Sequence, residues 1–366
     1  MKLTWAECMY LRGKESIQNR FKNDLKKLII VGRGFDPRMA VGTTALFEAD
    51  QTSSVLLVHY TGKQAVQNPV HIQERDKNVE KLKSICSTQI MDIAVEIWNE
   101  TAGSSVVCET VRKAITSELI RPYSEIIVDI SAMPRTMSFN LIKCLIDLKR
   151  IPANSNKKIS LLVCENSSLD DGIKSIIATD SAEFLQGLNA FTMGMEGTSA
   201  NTRVWIPILG LNEETALRKI ADFLHPDETC PVLPFPSANV RREEEIIRRH
   251  GNELFSGLEI EKRNIIYVPE NQPIIMYQKL CNTVNFYESA LTPPGGEAEI
   301  NYVFSSQGSK IMDIGVLMAI MNLMREGLTV GMAIIETEGY DKSQLRYDAQ
   351  RNELYCVCLD DNEFAW

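Results

Sequence analysis

The sequence has no apolar run long enough to cross a bilayer. Its greasiest stretch, GVLMAIMNLM (315–324), is short and bounded by charge, whereas a span needs about twenty residues. The opening MKLTWAECMYLRGKE lacks the apolar core of a signal peptide, so a cytoplasmic location is expected. No CxxC pair occurs. The nine cysteines are scattered, and only Cys356 and Cys358 lie close, one residue apart and therefore on one face of a strand. They read as apolar core residues in a reducing compartment. The histidines His59, His71, His225 and His250 lack zinc-ligand spacing, so neither a metal nor another cofactor is expected. There is no GxxxxGK[ST] loop, no GxSxG elbow, no HExxH and no Ser-His-Asp order, which removes the best-marked nucleotidase, esterase and metalloprotease classes. Basic residues are in deficit: 39 Lys and Arg against 48 Asp and Glu, a net charge of -9. That balance disfavours a nucleic-acid polymer or an anionic membrane as partner, yet leaves room for a small anion in a local basic pocket.

What the sequence does contain is itself, twice. Displaced by about 175 residues, LIIVGRGFD (28–36) lies against VWIPILGLN (204–212), VLLVHY (55–60) against CPVLPF (230–235), and IMDIAVE (90–96) against IIYVPEN (265–271). SAMPRTM (131–137) then meets SQGSKIM (306–312), and ISLLVCE (159–165) meets VGMAIIE (330–336). Five matches in one order at a nearly constant offset point to internal duplication. In each half, continuous apolar runs alternate with amphipathic stretches such as RDKNVEKLKSIC and NVRREEEIIRRHGNELF. Continuous runs suit strands buried on both faces, and the alternation suits a parallel sheet with helical crossovers. The expected fold is therefore α/β: two tandem Rossmann-like parallel-sheet units of five strands each, at 1–175 and 203–366. A connector at 176–202 is expected around a helical SAEFLQGLNAF, and a C-terminal β-hairpin is expected on the second unit, with DAQRN as its turn.

In open α/β sheets, ligands bind outside the carboxyl ends of the strands. Four loops qualify. After the first strand of each half come GRGFDPRM (32–39) and LGLNEET (209–215). In the former, Gly32 and Gly34 allow close backbone approach, Asp36-Pro37 fits a helix start, and Arg33 and Arg38 are candidate anion contacts. Gly210 and Asn212 are the corresponding candidates in the latter. After the fourth strand come SAMPRT (131–136) and SSQGSK (305–310). Small residues, then a cation, then a helix make an anion seat. Ser131, Ser306 and Ser309 can donate hydrogen bonds, Gly308 permits close approach, and Arg135 and Lys310 supply charge. A cation at a helix N-terminus is electrostatically disfavoured, and both halves keep one there.

An apolar strand running into DISAMPRTM, with its counterpart FSSQGSKIM, resembles the fourth-strand motif of CARF domains and of the SAVED domains that fuse two such units. The resemblance covers nearly the whole chain and implies a sensor of cyclic or short oligonucleotide second messengers in prokaryotic anti-phage defence. It also implies that the paired loops surround one shared ligand and that the effector is a separate protein. A homo-oligomer is compatible with this.

Two further readings stay open. Asp36, Asp129 and His59 all follow strands of the first half, a set that would suit nucleotide hydrolysis or transfer. Alternatively the chain is a non-catalytic interaction subunit of a defence complex. In PFPSANVRREEE (234–245) Asn239 is a candidate cap, and Arg241 and Arg242 either face a pocket or pair with the glutamates that follow.

Overall fold

The computed structural model describes residues 5, 8–61, 69–86, 90–99, 104–170, 172, 174–177, 182–191, 202–211, 214–292, 299–335, 337–341 and 347–359. The chain forms two compact units, one of residues 7–169 with 346–366, the other of residues 1–6 with 170–345.

The first half contributes six strands to the main sheet of the first unit: β1 Met9–Arg12, β2 Lys27–Gly32, β3 Ser54–Thr61, β4 Ile90–Glu96, β5 Glu125–Asp129 and β6 Lys158–Glu165. The second unit is built on β7 Glu183–Asn189, β8 Thr202–Ile208, β9 Glu228–Thr229, β10 Val232–Pro234, β11 Ile266–Val268, β12 Ile300–Ser306 and β13 Thr329–Ile334. The last strand, β14 Glu353–Cys358, returns to the first unit. The sheets run β1-β14-β6-β5-β2-β3-β4 and β7-β13-β12-β8-β10-β11, with β9 beside β8. In each, the five strands of one repeat pair in parallel in the order fifth, fourth, first, second, third. This is the order of the first five strands of the doubly wound dinucleotide-binding fold; four of the matched sequence pairs fall on equivalent strands, and SAMPRTM with SQGSKIM falls on the loops and helix starts that follow the fourth. Every residue of β2, β5 and β12 is buried, as continuous apolar runs require when helices cover both faces. The greasy helix Lys310–Arg325 has 13 of its 16 residues buried. Gly315 lets it cross close to the helix Pro273–Leu291, since a Cβ there would lie 2.6 Å from the Pro273 carbonyl oxygen. Among the described residues no helix is long and apolar enough to cross a membrane.

The edges depart from expectation. SAEFLQGLNAF is not a helix in the connector: it carries β7, antiparallel to β13. Leu185 and Leu188 bury there around a positive-φ Gly187, so an open sheet edge overrides local helical pattern. Nor does the C-terminal strand form a hairpin on the second unit among the described residues. After a short turn at Ala349–Arg351, β14 lies antiparallel to β6 and β1. The exchange is reciprocal. After the fifth strand of each half the chain runs through one arm of a two-stranded antiparallel ribbon, Lys174–Ile177 against Thr337–Asp341. It then places its next strand beside the other half's fifth strand. Neither half completes its own sheet, so the boundaries 1–175 and 203–366 give way to two interleaved units. The join itself begins with a short helical turn at Ser167–Asp170, and 192–201 lies outside the described residues.

Buried charge ties down the amino ends of the strands. Lys27 is 1% exposed, and its ammonium donates to the Asn23 and Leu25 carbonyls at 2.7 and 3.0 Å and to Asp50 Oδ2 at 2.8 Å. Burial works to raise the Asp50 carboxyl, but hydrogen bonds from Lys27 and Thr52 outweigh it and hold the group at about 2.

Two outcomes are expected. Val357→Pro removes a ladder donor from inside the first sheet. Hydrogen exchange should speed up in 158–165 and 9–12 and stay unchanged in 329–334; a C-terminal hairpin on the second unit would give the reverse. Asp50→Asn strands a buried cation and should cost about 2 kcal/mol at neutral pH. Because Asp50 is depressed below its unfolded value of about 3.9, its contribution is complete above about pH 4 and is lost as pH falls through about 2. The gap between wild type and variant in urea titrations should therefore close over that window.

Candidate functional site

Strands one and four of each unit, β2 with β5 and β8 with β12, adjoin where the crossovers diverge. This is the switch point at which such sheets bind ligands. In both units the loop after strand four lies on the loop after strand one. A Cβ on Gly34 would sit 2.9 Å from the Ala132 carbonyl oxygen, and a Cβ on Gly210 would sit 1.8 Å from that of Gln307. These glycines are required by the chain's own loops. A second contact exchanges its partners. Beside Gly32 lie the Tyr60 hydroxyl, which would be 2.2 Å from a Gly32 Cβ, and Met133, 1% exposed, whose Cγ would be 2.6 Å from it. In the second unit the matched residues are Ile208 on the strand and Gly308 on the loop, where a Cβ would be 2.8 Å from Ile208 Cγ2. Large on small becomes small on large, and the gap stays filled.

The loop serines are fixed by buried carboxylates drawn from different positions. Ser131 is fully buried and donates its hydroxyl to Asp129 Oδ1 at 2.5 Å while accepting from the Cys164 amide at 2.8 Å. The Ser131 amide also donates to Asp129 Oδ1, at 3.0 Å. In the second unit Phe304 stands where Asp129 would be, and Ser306 donates to Asp313 Oδ1 at 2.5 Å, from the first turn of the following helix. Ser131 and Ser306, two of the three serines expected to meet a ligand, are thus engaged in holding their loops in place.

Arg38 is likewise internal. It is 3% exposed, pairs with both carboxylate oxygens of Asp36 at 2.7–3.2 Å, and reaches the Cys164 carbonyl. The sequence reading of Arg38 as an anion contact gives way to this pair, because proline at 37 starts a short 3-10 turn that folds the side chain back onto its own cap. Burial pushes the Cys164 thiol up, against the pull of Arg38. Arg33 stays outside, 27% exposed, with one nitrogen 3.3 Å from Asp76 Oδ1, and its buried Nε has no partner among the described residues. Asn78 holds the same loop through the Gly34 and Asp36 carbonyls. The described bonds of the three candidate catalytic residues run to three separate partners: Asp36 to Arg38, Asp129 to Ser131, and His59 to Asp92 at 2.6 Å, on β3 and β4. No shared acid–base pair arises from them.

The cations keep equivalent places. Arg135 is the first residue of the helix Arg135–Lys149 and Lys310 the first of Lys310–Arg325. Both are partly exposed, and neither helix has a side-chain cap. Ser309 occupies the N-cap with extended backbone, φ -71° and ψ 160°, the geometry in which serine normally caps. It does not cap, and its Oγ is buried without a partner among the described residues. Asn212 lies outside the described residues.

Some functional geometry was not anticipated. Arg242, Ile246 and His250 form the buried face of the helix Arg242–Asn252, and their i, i+4, i+8 spacing is the signal that could have shown it. Arg242 pairs with buried Glu270 at 2.6 Å. His250 Nε2 donates to the Gly210 carbonyl at 2.8 Å, pinning the first-strand loop.

No family model matches the chain, and no curated protein matches it. Among solved structures, a putative universal stress protein from Pseudomonas aeruginosa UCBPP-PA14 is similar over 87% of this chain and 96% of its own, at 7% identity and a TM-score of 0.23. A putative uncharacterized protein from Mycobacterium Paratuberculosis is similar over 86% and 88%, at 8% identity and a TM-score of 0.24. The fold assignment rests on the strand order itself.

The exchanged contact can be tested by transplanting it. Gly32→Ile alone should destabilise by about 1–3 kcal/mol through overpacking. Gly32→Ile with Met133→Gly, made in a Tyr60→Phe background that removes the nearer hydroxyl, installs the second unit's pair in the first, and a double-mutant cycle should show favourable coupling of about 1 kcal/mol or more. Strictly additive costs would contradict the equivalence.

Proposed function

We propose that the loop after the fourth strand of each unit seats an anionic group of a nucleotide-type ligand. On this reading the chain is a sensor or regulator in prokaryotic anti-phage defence that signals through a separate effector protein. The supporting observation is the pair of uncapped helix N-termini at the two switch points, each beginning with a cation, Arg135 and Lys310. A helix start without a side-chain cap from its N-cap residue, a dipole end and a fixed positive charge together make an anion site. The unused Ser309 hydroxyl adds a donor in the second unit. The resemblance to CARF and SAVED domains supplies the nucleotide and the defence setting. An enzymatic reading through Asp36, Asp129 and His59 draws no support from the geometry, since each is engaged elsewhere.

Binding of cyclic oligoadenylates and ATP, followed by calorimetry, tests this. Lys310→Ala should weaken binding about tenfold or more, and Arg135→Ala with Lys310→Ala should abolish it, with the melting temperature little changed. Ser309→Asp discriminates further. A carboxylate at the N-cap should stabilise the helix by about 0.5–1 kcal/mol while repelling the anion, so stability rises as affinity falls. Undiminished binding in the double variant would sink the assignment of the seat.

A further inference from the structure

The second unit carries an exposed aromatic pair that its core does not need. Phe235 is 50% exposed and Tyr267 is 38% exposed, and their rings meet edge to face at 6.1 Å. Phe235 follows β10 directly, and Tyr267 lies in β11, one residue from its carboxyl end. Both belong to the edge of the sheet that also carries Lys310, because β10, β11 and β12 are all parallel to β8 or to one another. The lateral offset from β12 to β10 is two strands, about 10 Å.

The backbone beneath the pair is tied in place. The Phe235 amide donates to the Val268 carbonyl at 2.7 Å, and the Glu270 amide to the Pro236 carbonyl at 2.9 Å. Glu270 accepts from the Ala238 amide and pairs with buried Arg242, Ser237 donates to the Asn239 carbonyl at 2.5 Å, and Lys279 donates to the Tyr267 carbonyl. A chain that fixes a loop this firmly and leaves its aromatic side chains outside is presenting them. The charges nearby select what they meet. Glu243, whose carboxylate acts on the Tyr267 hydroxyl, and exposed Glu244 disfavour phosphate there, while Lys310 favours it two strands away. A ligand that satisfies both places is anionic at one end and a neutral aromatic at the other.

We infer that Phe235 and Tyr267 form the stacking platform for a nucleobase of the ligand whose phosphate is seated at Lys310. This inference rests on that seat. It sets the ligand class as one carrying base and phosphate two to three strand spacings apart, about 10–15 Å, such as a nucleoside polyphosphate or a short oligonucleotide, and excludes inorganic anions and sugar phosphates as full ligands. Aromatic faces bind bases largely irrespective of sequence, while the Glu243 carboxylate offers an acceptor to bases that carry an exocyclic amino group.

The full chain is titrated calorimetrically with 5′-phosphorylated diadenylate and with inorganic triphosphate. Phe235→Ala with Tyr267→Ala should weaken diadenylate about tenfold or more and leave triphosphate unchanged. Phe235→Leu with Tyr267→Leu, which keeps apolar bulk without a π face, should also weaken diadenylate and guards against loss of fold. If both aromatic variants bind diadenylate as the wild type does while Lys310→Ala loses it, the platform is refuted and the seat stands. If the wild type binds neither probe, the seat itself fails and the platform with it.

Discussion

The contact on which both units depend is that between the loop after strand four and the loop after strand one. It lies at the switch point of each sheet, where the backbone has to pass closely enough that only glycine fits, at Gly34 under Ala132 and at Gly210 under Gln307. Around it the two copies reach the same closure with different chemistry. Met133 on Gly32 answers Gly308 on Ile208. Asp129 secures Ser131 from the strand end, whereas Asp313 secures Ser306 from the helix. Interiors tolerate such changes when total volume and hydrogen-bond satisfaction are kept. The pattern identifies these residues as scaffold, and the first residue of the following helix, Arg135 or Lys310, is a cation in both copies.

The reciprocal exchange of edge strands gives the fold a second constraint. Each five-strand parallel core leaves its fifth strand with an open edge, and an open edge recruits whatever strand is offered. Here β14 covers β6 and β7 covers β13. The two halves therefore cannot be separated by cutting the chain once without stripping a strand from at least one sheet. Stability of either sheet is linked to chain segments more than a hundred residues away, which raises contact order and slows folding.

Much of this was legible in the residues. Continuous apolar runs identified the parallel strands because burial on both faces leaves no polar alternation, and the repeat located the equivalent loops and their cations. What was not legible is tertiary. SAEFLQGLNAF has a helical look, yet pairs as β7 because the β13 edge is available. ELYCVC shows its strand character plainly, but nothing local names β6 as its neighbour. Arg38 looked like a ligand contact because its pairing with Asp36 is a matter of turn geometry, and Asp129 looked catalytic because a buried carboxylate that holds a loop is indistinguishable in sequence from one that moves a proton. Phe235 and Tyr267 are 32 residues apart and meet only through the pairing of β10 with β11.

The central claim is that the uncapped helix N-termini after strand four bind an anion, and amide chemical shifts in the full chain report on it most directly. On titration with 5′-phosphorylated diadenylate, the account predicts saturable shifts concentrated in the amides of 307–312 and 133–137, where the first-turn N–H groups would meet phosphate. An absence of shifts at both loops, with or without shifts elsewhere on the molecule, would contradict it.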